Sequence, residues 1–194
     1  MADEAPAAGL AAALRAATKA DHHALDHHPL LAPLVRPGLT LADYGRALAA
    51  LHGPQAALEA LLAGFAPAKD FPPRLPVLEA DLAALGLPPQ PLRAAPPAAD
   101  DDSSRIGLMY VLEGSNLGGA VIARQLARYL PRTPCAFFSG GGGEERWRRF
   151  WEFAFNCEIG LAAACAAARA AFAFYRAHLD ACHETAPPSC TRRG

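Results

Sequence analysis

Two groups of residues have the types and spacing to do chemistry. The first is a run of histidines near the amino terminus: His22, His23, His27 and His28. Projected on a helix at about 100° per residue, Leu14, Thr18, His22 and Leu25 fall on one stripe, spaced i, i+4, i+8 and i+11. His22 thus sits on an otherwise inward-facing side, flanked by Arg15 and Lys19. Two readings fit it: a hydrogen-bonded core histidine, or an imidazole ligand to a haem iron with cations placed for the haem carboxylates. His23 and His27, also four apart, share a face about 100° away, where paired imidazoles can hold zinc or nickel. No partner motif elsewhere accompanies that pair.

The second group is Gly107-Leu-Met-Tyr-Val-Leu-Glu-Gly114-Ser-Asn-Leu-Gly118-Gly119. Each glycine inside a helix costs about 1 kcal/mol relative to alanine, so a helix carrying several needs a reason. Gly107, Gly114 and Gly118 lie within about 20° of one another around the axis, a stripe without side chains. Gly118-Gly119 also permits a kink. Either another helix packs closely there, or backbone approaches a flat, bulky ligand and leaves room for a small molecule between. Ser115 and Asn116 add polarity on the same turn, which suits dioxygen on an iron.

Helices must position both groups. The chain has 194 residues, 46 of them alanine, and few β-branched residues. That composition favours helix over sheet, and the length predicts one domain over 1–194, with a core over about 8–182 and a flexible tail over 183–194. Proline and glycine divide it into blocks at about 8–28, 40–65, 75–85, 100–130, 144–156 and 158–182. Thr40, with Asp43 in the following turn, is a plausible N-cap, and Pro54 should kink the second block. Residues 87–99 should form an ordered surface loop. The architecture expected is an all-α, single-domain helical bundle.

Composition excludes several classes. A net charge of −1 excludes a strongly basic nucleic-acid binder. The most apolar run, 160–175, contains Arg169 and falls short of the roughly 20 residues that span a bilayer. Met1 to Glu4 is acidic and lacks the pattern of a secretory leader. Five cysteines without a CxxC pair suggest reduced thiols and a cytoplasmic protein.

Leu14-Arg-Ala-Ala-Thr-Lys-Ala-Asp-His22 resembles the proximal-helix motif of the haem oxygenases, and Tyr110-Val-Leu-Glu-Gly-Ser-Asn-Leu-Gly-Gly119 resembles the distal helix of their bacterial, phytochrome-associated branch. Ala136-Phe137-Phe138 also fits, so the resemblance runs over about residues 10–180. It implies haem sandwiched between a proximal amino-terminal helix and a kinked, glycine-rich distal helix. His22 would be the iron ligand, with Thr18 beside it and Asp26 one turn on, hydrogen-bonding near the imidazole. Arg15, Lys19, Arg148 and Arg149 would meet the haem carboxylates. Gly114, Ser115, Gly118 and Gly119 would form the distal, catalytic surface. Animal members carry an aspartate where this chain has Ser115, which leaves the anchor of the distal water among Ser115, Asn116 and Gln55; Glu59, on the same kinked helix as Gln55, could border the pocket.

The activity so implied is cleavage of haem, at once cofactor and substrate, by O2 to biliverdin (the IXα isomer by default), CO and ferrous iron. Electrons would come from a ferredoxin or flavoprotein reductase, since no flavin or nicotinamide motif is present. An acidic donor is expected near Arg15, Lys19 and residues 146–149, and a bacterial phytochrome is a candidate recipient of biliverdin. The same residues fit a haem storage or delivery protein without turnover. A di-iron bundle would need paired Glu-x-x-His motifs, which the chain lacks.

Overall fold

The computed structural model describes residues 4–67, 69–140 and 142–185, all helix and loop. The elements are α1 (Glu4–Asp26), a 3-10 turn (Ala32–Val35), α2 (Leu41–Leu61), α3 (Leu75–Ala84), α4 (Asp102–Tyr129), α5 (Ala136–Ser139), α6 (Gly143–Ala154) and α7 (Leu161–Glu184). Of the tail expected over 183–194, His183 and Glu184 belong to α7, and residues 186–194 lie outside the described residues. The starts of α2 and α4 follow side-chain chemistry. Thr40 Oγ1 accepts the Asp43 amide at 3.1 Å. Asp101 and Ser104 close a reciprocal capping box ahead of α4.

Helix α4 runs through the centre. Its apolar side packs on α7, α6 and α5, and half of its most apolar window is buried, as for a core helix. Gly107 sits at the α4–α7 crossing, where a Cβ would overlap the Ala164 carbonyl oxygen. Close packing therefore explains that glycine. One hydrophobic cluster joins Leu14 of α1, Ile106 and Leu112 of α4, Phe150 of α6 and Ala168 and Phe172 of α7. A second joins Tyr44 and Leu48 of α2, Leu78 of α3, Leu126 of α4 and Phe137 of α5.

The expected kink at Pro54 has a specific consequence. Proline has no N–H to offer the Ala50 carbonyl, the oxygen four residues back. That oxygen instead faces His178 Nε2 at 2.9 Å, from the fully buried imidazole of α7. With Nε2 donating, Nδ1 is the acceptor, and it takes the Arg93 amide at 3.1 Å. Gln90 N–H donates to the Ala49 carbonyl at 3.0 Å. The proline-rich loop is thus ordered, tied to two helices.

The last two expected blocks are separate helices, α6 and α7, divided by residues 155–160. Gly160 N–H donates to Ser103 Oγ at 2.8 Å, so the break is fastened to the start of α4.

Candidate functional site

Helices α1 and α4 both pack against α7 but scarcely touch each other, so they stand apart across it. On α1 the stripe begins buried and ends in the open. Leu14 is fully buried, and Thr18, whose hydroxyl donates to the Leu14 carbonyl at 2.7 Å, is 2% exposed. One turn later the His22 side chain is 64% exposed. The core-histidine reading is therefore overturned. Asp26 Oδ2 lies 2.9 Å from His22 Nδ1, and the ring is 5.9 Å from that of Phe172. With Nδ1 donating to the carboxylate, Nε2 carries a lone pair directed away from it. Arg15 and Lys19 are exposed and have no carboxylate within 4 Å among the described residues.

His23 and His27 are both exposed, their ring centroids 4.1 Å apart, and His27 Nδ1 is engaged with the His23 carbonyl at 2.9 Å. No cluster of three or more potential metal-binding side chains occurs among the described residues.

On α4 the glycines divide by neighbour. A Cβ on Gly119 would meet the Phe138 carbonyl oxygen at 2.9 Å, so its bareness admits α5. A Cβ on Gly114 would stand 3.5 Å from the Trp147 ring. Gly118 has open space, with nothing within 4 Å. Ser115 is exposed on the same stretch, and its hydroxyl donates to the Leu112 carbonyl at 2.7 Å.

Behind this surface lies a cavity of about 140 Å3, lined by Gln55 and Glu59 of α2, Arg74, Glu113 and Asn116 of α4, and Arg146 of α6. Glu113 binds Arg146 through two hydrogen bonds of 2.6 and 2.7 Å, and the pair is nearly shielded from solvent. Asn116 Nδ2 donates to Glu113 Oε2 at 3.0 Å, which fixes the orientation of the amide. Asn116 Oδ1 is then a buried acceptor without a protein donor. Glu59 accepts from Gln55 Nε2 and from the Arg74 amide, each at 2.7 Å, and Tyr175 OH faces Gln55 Oε1 at 3.5 Å. Arg74 also donates to the Phe137 carbonyl, and burial pushes its pKa down to about 10. Burial likewise pushes the Tyr175 phenol up.

Sequence reasoning passed over Arg74, Glu113 and Arg146 as a network. Glu113 stands inside the glycine-rich motif, and a carboxylate at that register on a half-apolar helix was the available signal. Arg74 carried none, standing alone after two prolines.

The positive patch expected over 146–149 does not form. Arg146 is buried against Glu113. Arg148 pairs with Glu145 at 2.7 Å and with Glu152, and Arg149 pairs with Glu145 at 2.8 Å. To meet haem carboxylates, Arg148 and Arg149 would have to exchange these partners.

An all-helical bundle with an open, carboxylate-supported histidine on one helix and a bare glycine turn on another has the two features that the resemblance to the haem oxygenases led one to expect. The comparisons make that expectation particular. A protein of Xanthomonas campestris pv. campestris named "Heme oxygenase" is 40% identical over 115 residues, which span 56% of this chain and 68% of that one. The crystal structure of the NO- and CO-bound haem oxygenase of Neisseria meningitidis superposes with a TM-score of 0.72 at 27% identity, covering 93% of this chain and 94% of that one. No family model matches. The chain belongs to the haem oxygenase family of enzymes.

Proposed function

We propose that the chain cleaves haem with O2 to biliverdin, the IXα isomer, releasing CO and ferrous iron and drawing electrons from an external protein donor. The observation that carries this reading is His22, an exposed imidazole at the end of a buried stripe, held at Nδ1 by Asp26 at 2.9 Å. A core histidine would be covered, and a merely solvated one would need no such register. Haem, when bound, supplies the iron that activates O2 and the macrocycle that is oxidised.

The chain's own residues divide the remaining work. His22 would hold the iron through Nε2, while Asp26 fixes the tautomer and the orientation of the ring. Thr18 closes the buried end of the stripe, and Arg15 and Lys19 would take the haem carboxylates. Gly114 and Gly118 leave a helix surface against which a flat ligand can lie, with Gly119 shaping the turn. On that surface a strong acid is absent. Ser115 Oγ already donates to Leu112, so it presents lone pairs rather than a proton. Asn116 Oδ1 is the acceptor that still needs a donor, and Gln55 stands in the same cavity. These two amides would anchor the water that delivers protons, in place of the aspartate of the animal enzymes. The reaction is placed in the cytoplasm, and a bacterial phytochrome is a suitable recipient of the product.

The test adds haem to the purified protein, then ascorbate under air, with His22→Ala in parallel. Loss of the Soret band with growth of a red biliverdin absorption in the wild type, and no ligated spectrum in the variant, is expected. A Soret band that never bleaches with a competent reductase would indicate haem storage instead. No Soret shift at all would sink both readings.

A further inference from the structure

We propose that the exposed face of the carboxy-terminal half of α4 docks the acidic protein that delivers the electrons. Leu117, Val121, Arg124 and Arg128 recur at i, i+4, i+7 and i+11, which puts them on one face of α4, and all four are exposed. Arg132 follows in the next turn of chain and is exposed as well. The 3-10 turn packs on the same end of α4 through Leu34 and Leu126, and it ends at exposed Arg36.

Charge gives the occupant. From Gly114 to Gly143 the sequence contains no acidic residue at all, in a chain whose net charge is −1. Arg124, Arg128, Arg132 and Arg36 have no carboxylate within 4 Å among the described residues, whereas Arg46, Arg105, Arg146, Arg148, Arg149 and Arg169 all do. Of the acids on neighbouring elements, Asp43 and Asp81 are engaged, whereas Glu144, next to the Gly143 that lies against the Asn116–Leu117 backbone, is exposed and has no cation partner among the described residues. Asp43 holds Arg46 and Thr40, and Asp81 accepts the amides of Ala136 and Phe137. The arginine end of the face is therefore a positive field with no carboxylate within 4 Å among the described residues, beside two aliphatic side chains left in solvent. A protein surface of carboxylates around a small apolar centre complements it in charge and character.

Position gives the role. Leu117 and Val121 bracket Gly118, whose open backbone belongs to the surface assigned above to the haem. A donor seated here would stand one helix away from its acceptor. This assignment rests on the proposed oxygenase activity and relocates the donor from residues 146–149, where the arginines are neutralised.

The experiment compares two electron sources on the wild type and on Arg124→Glu/Arg128→Glu, both loaded with haem. One source is ascorbate; the other is a bacterial [2Fe–2S] ferredoxin reduced by its NADPH-dependent reductase. In the variant the ferredoxin-driven rate at low salt should fall at least about tenfold and lose its salt dependence, while the ascorbate-driven rate stays within about twofold of wild type. An equal loss with both sources, or no loss with ferredoxin, would overturn the docking assignment. Failure of the wild type with ascorbate would overturn the activity itself and the docking with it. Cosedimentation of the wild type, but not the variant, with phosphatidylglycerol vesicles while ferredoxin turnover is unchanged would assign the face to a membrane instead.

Discussion

At the scale of single residues, a proton on the wrong nitrogen undoes what a histidine was placed to do. Asp26 selects the tautomer of His22, so Asp26→Asn should keep the ligand but weaken haem binding about tenfold, read by Soret titration. His178 and His28 are held neutral elsewhere. His178 uses both nitrogens, toward Ala50 and Arg93, and burial lowers its pKa. His28 accepts the Leu30 amide at Nδ1 and reaches Asp180 at 3.1 Å through Nε2; desolvation outweighs that carboxylate and lowers its pKa too. A folded pKa below the unfolded one means that the unfolded chain takes up the proton first. The stability these rings contribute is present above about pH 6.5 and is lost as pH falls toward the folded values. Urea midpoints measured from pH 7.5 down to pH 5 should therefore decrease, and His178→Gln should flatten part of that slope. A midpoint independent of pH would contradict the assignment.

Among elements, the glycines of α4 make opposite predictions although they look alike in sequence. Gly107→Ala forces a methyl into the Ala164 carbonyl at the α7 crossing and should destabilise the fold by about 1–3 kcal/mol. Gly118→Ala meets nothing and gains helix propensity, so its denaturation midpoint should hold or rise by up to about 1 kcal/mol. Its haem affinity and turnover should drop all the same, because the methyl enters the surface the ligand needs. Glu113→Ala strands a buried Arg146 and should cost about 3–5 kcal/mol in a chemical denaturation curve. Much of this scale was legible beforehand. Thr40 and the prolines and glycines that divide the blocks mark helix ends through local rules of capping and backbone, and those rules act within a few residues. The break between the last two blocks was legible near residue 157, though a single bent helix fitted as well; its anchor was not, because Ser103 lies far away in the chain. The pairing of Arg148 and Arg149 with their own helix was readable at i−3 and i±4 spacing, yet the family pattern outweighed it. The stripe of His22 was visible from its period, but not that it would emerge into solvent, which depends on how α7 packs along α1.

For the molecule as a whole, α1 and α4 each depend on α7 and hardly on each other. A ligand bridging them adds a contact the bare protein lacks. A haem held only by the folded chain, as proposed, should add about 4 kcal/mol of stability at a thousandfold excess over Kd. The melting temperature should rise with haem for the wild type and far less for His22→Ala; an equal rise in both would mean that haem sits elsewhere.

The proline-rich stretch after Gly86 shows how little a segment's composition says about its accessibility. Two of its amides are bonded to α2 and α7, those of Gln90 and Arg93, and Arg93 N–H is bound to a buried imidazole although its side chain reaches solvent. A protease needs locally released backbone around the bond it cuts, and these two hydrogen bonds oppose that release. The peptide bond after Arg93 should therefore survive limited trypsin digestion for as long as the bundle stays folded, and become cleavable only when α7 lets go of α2.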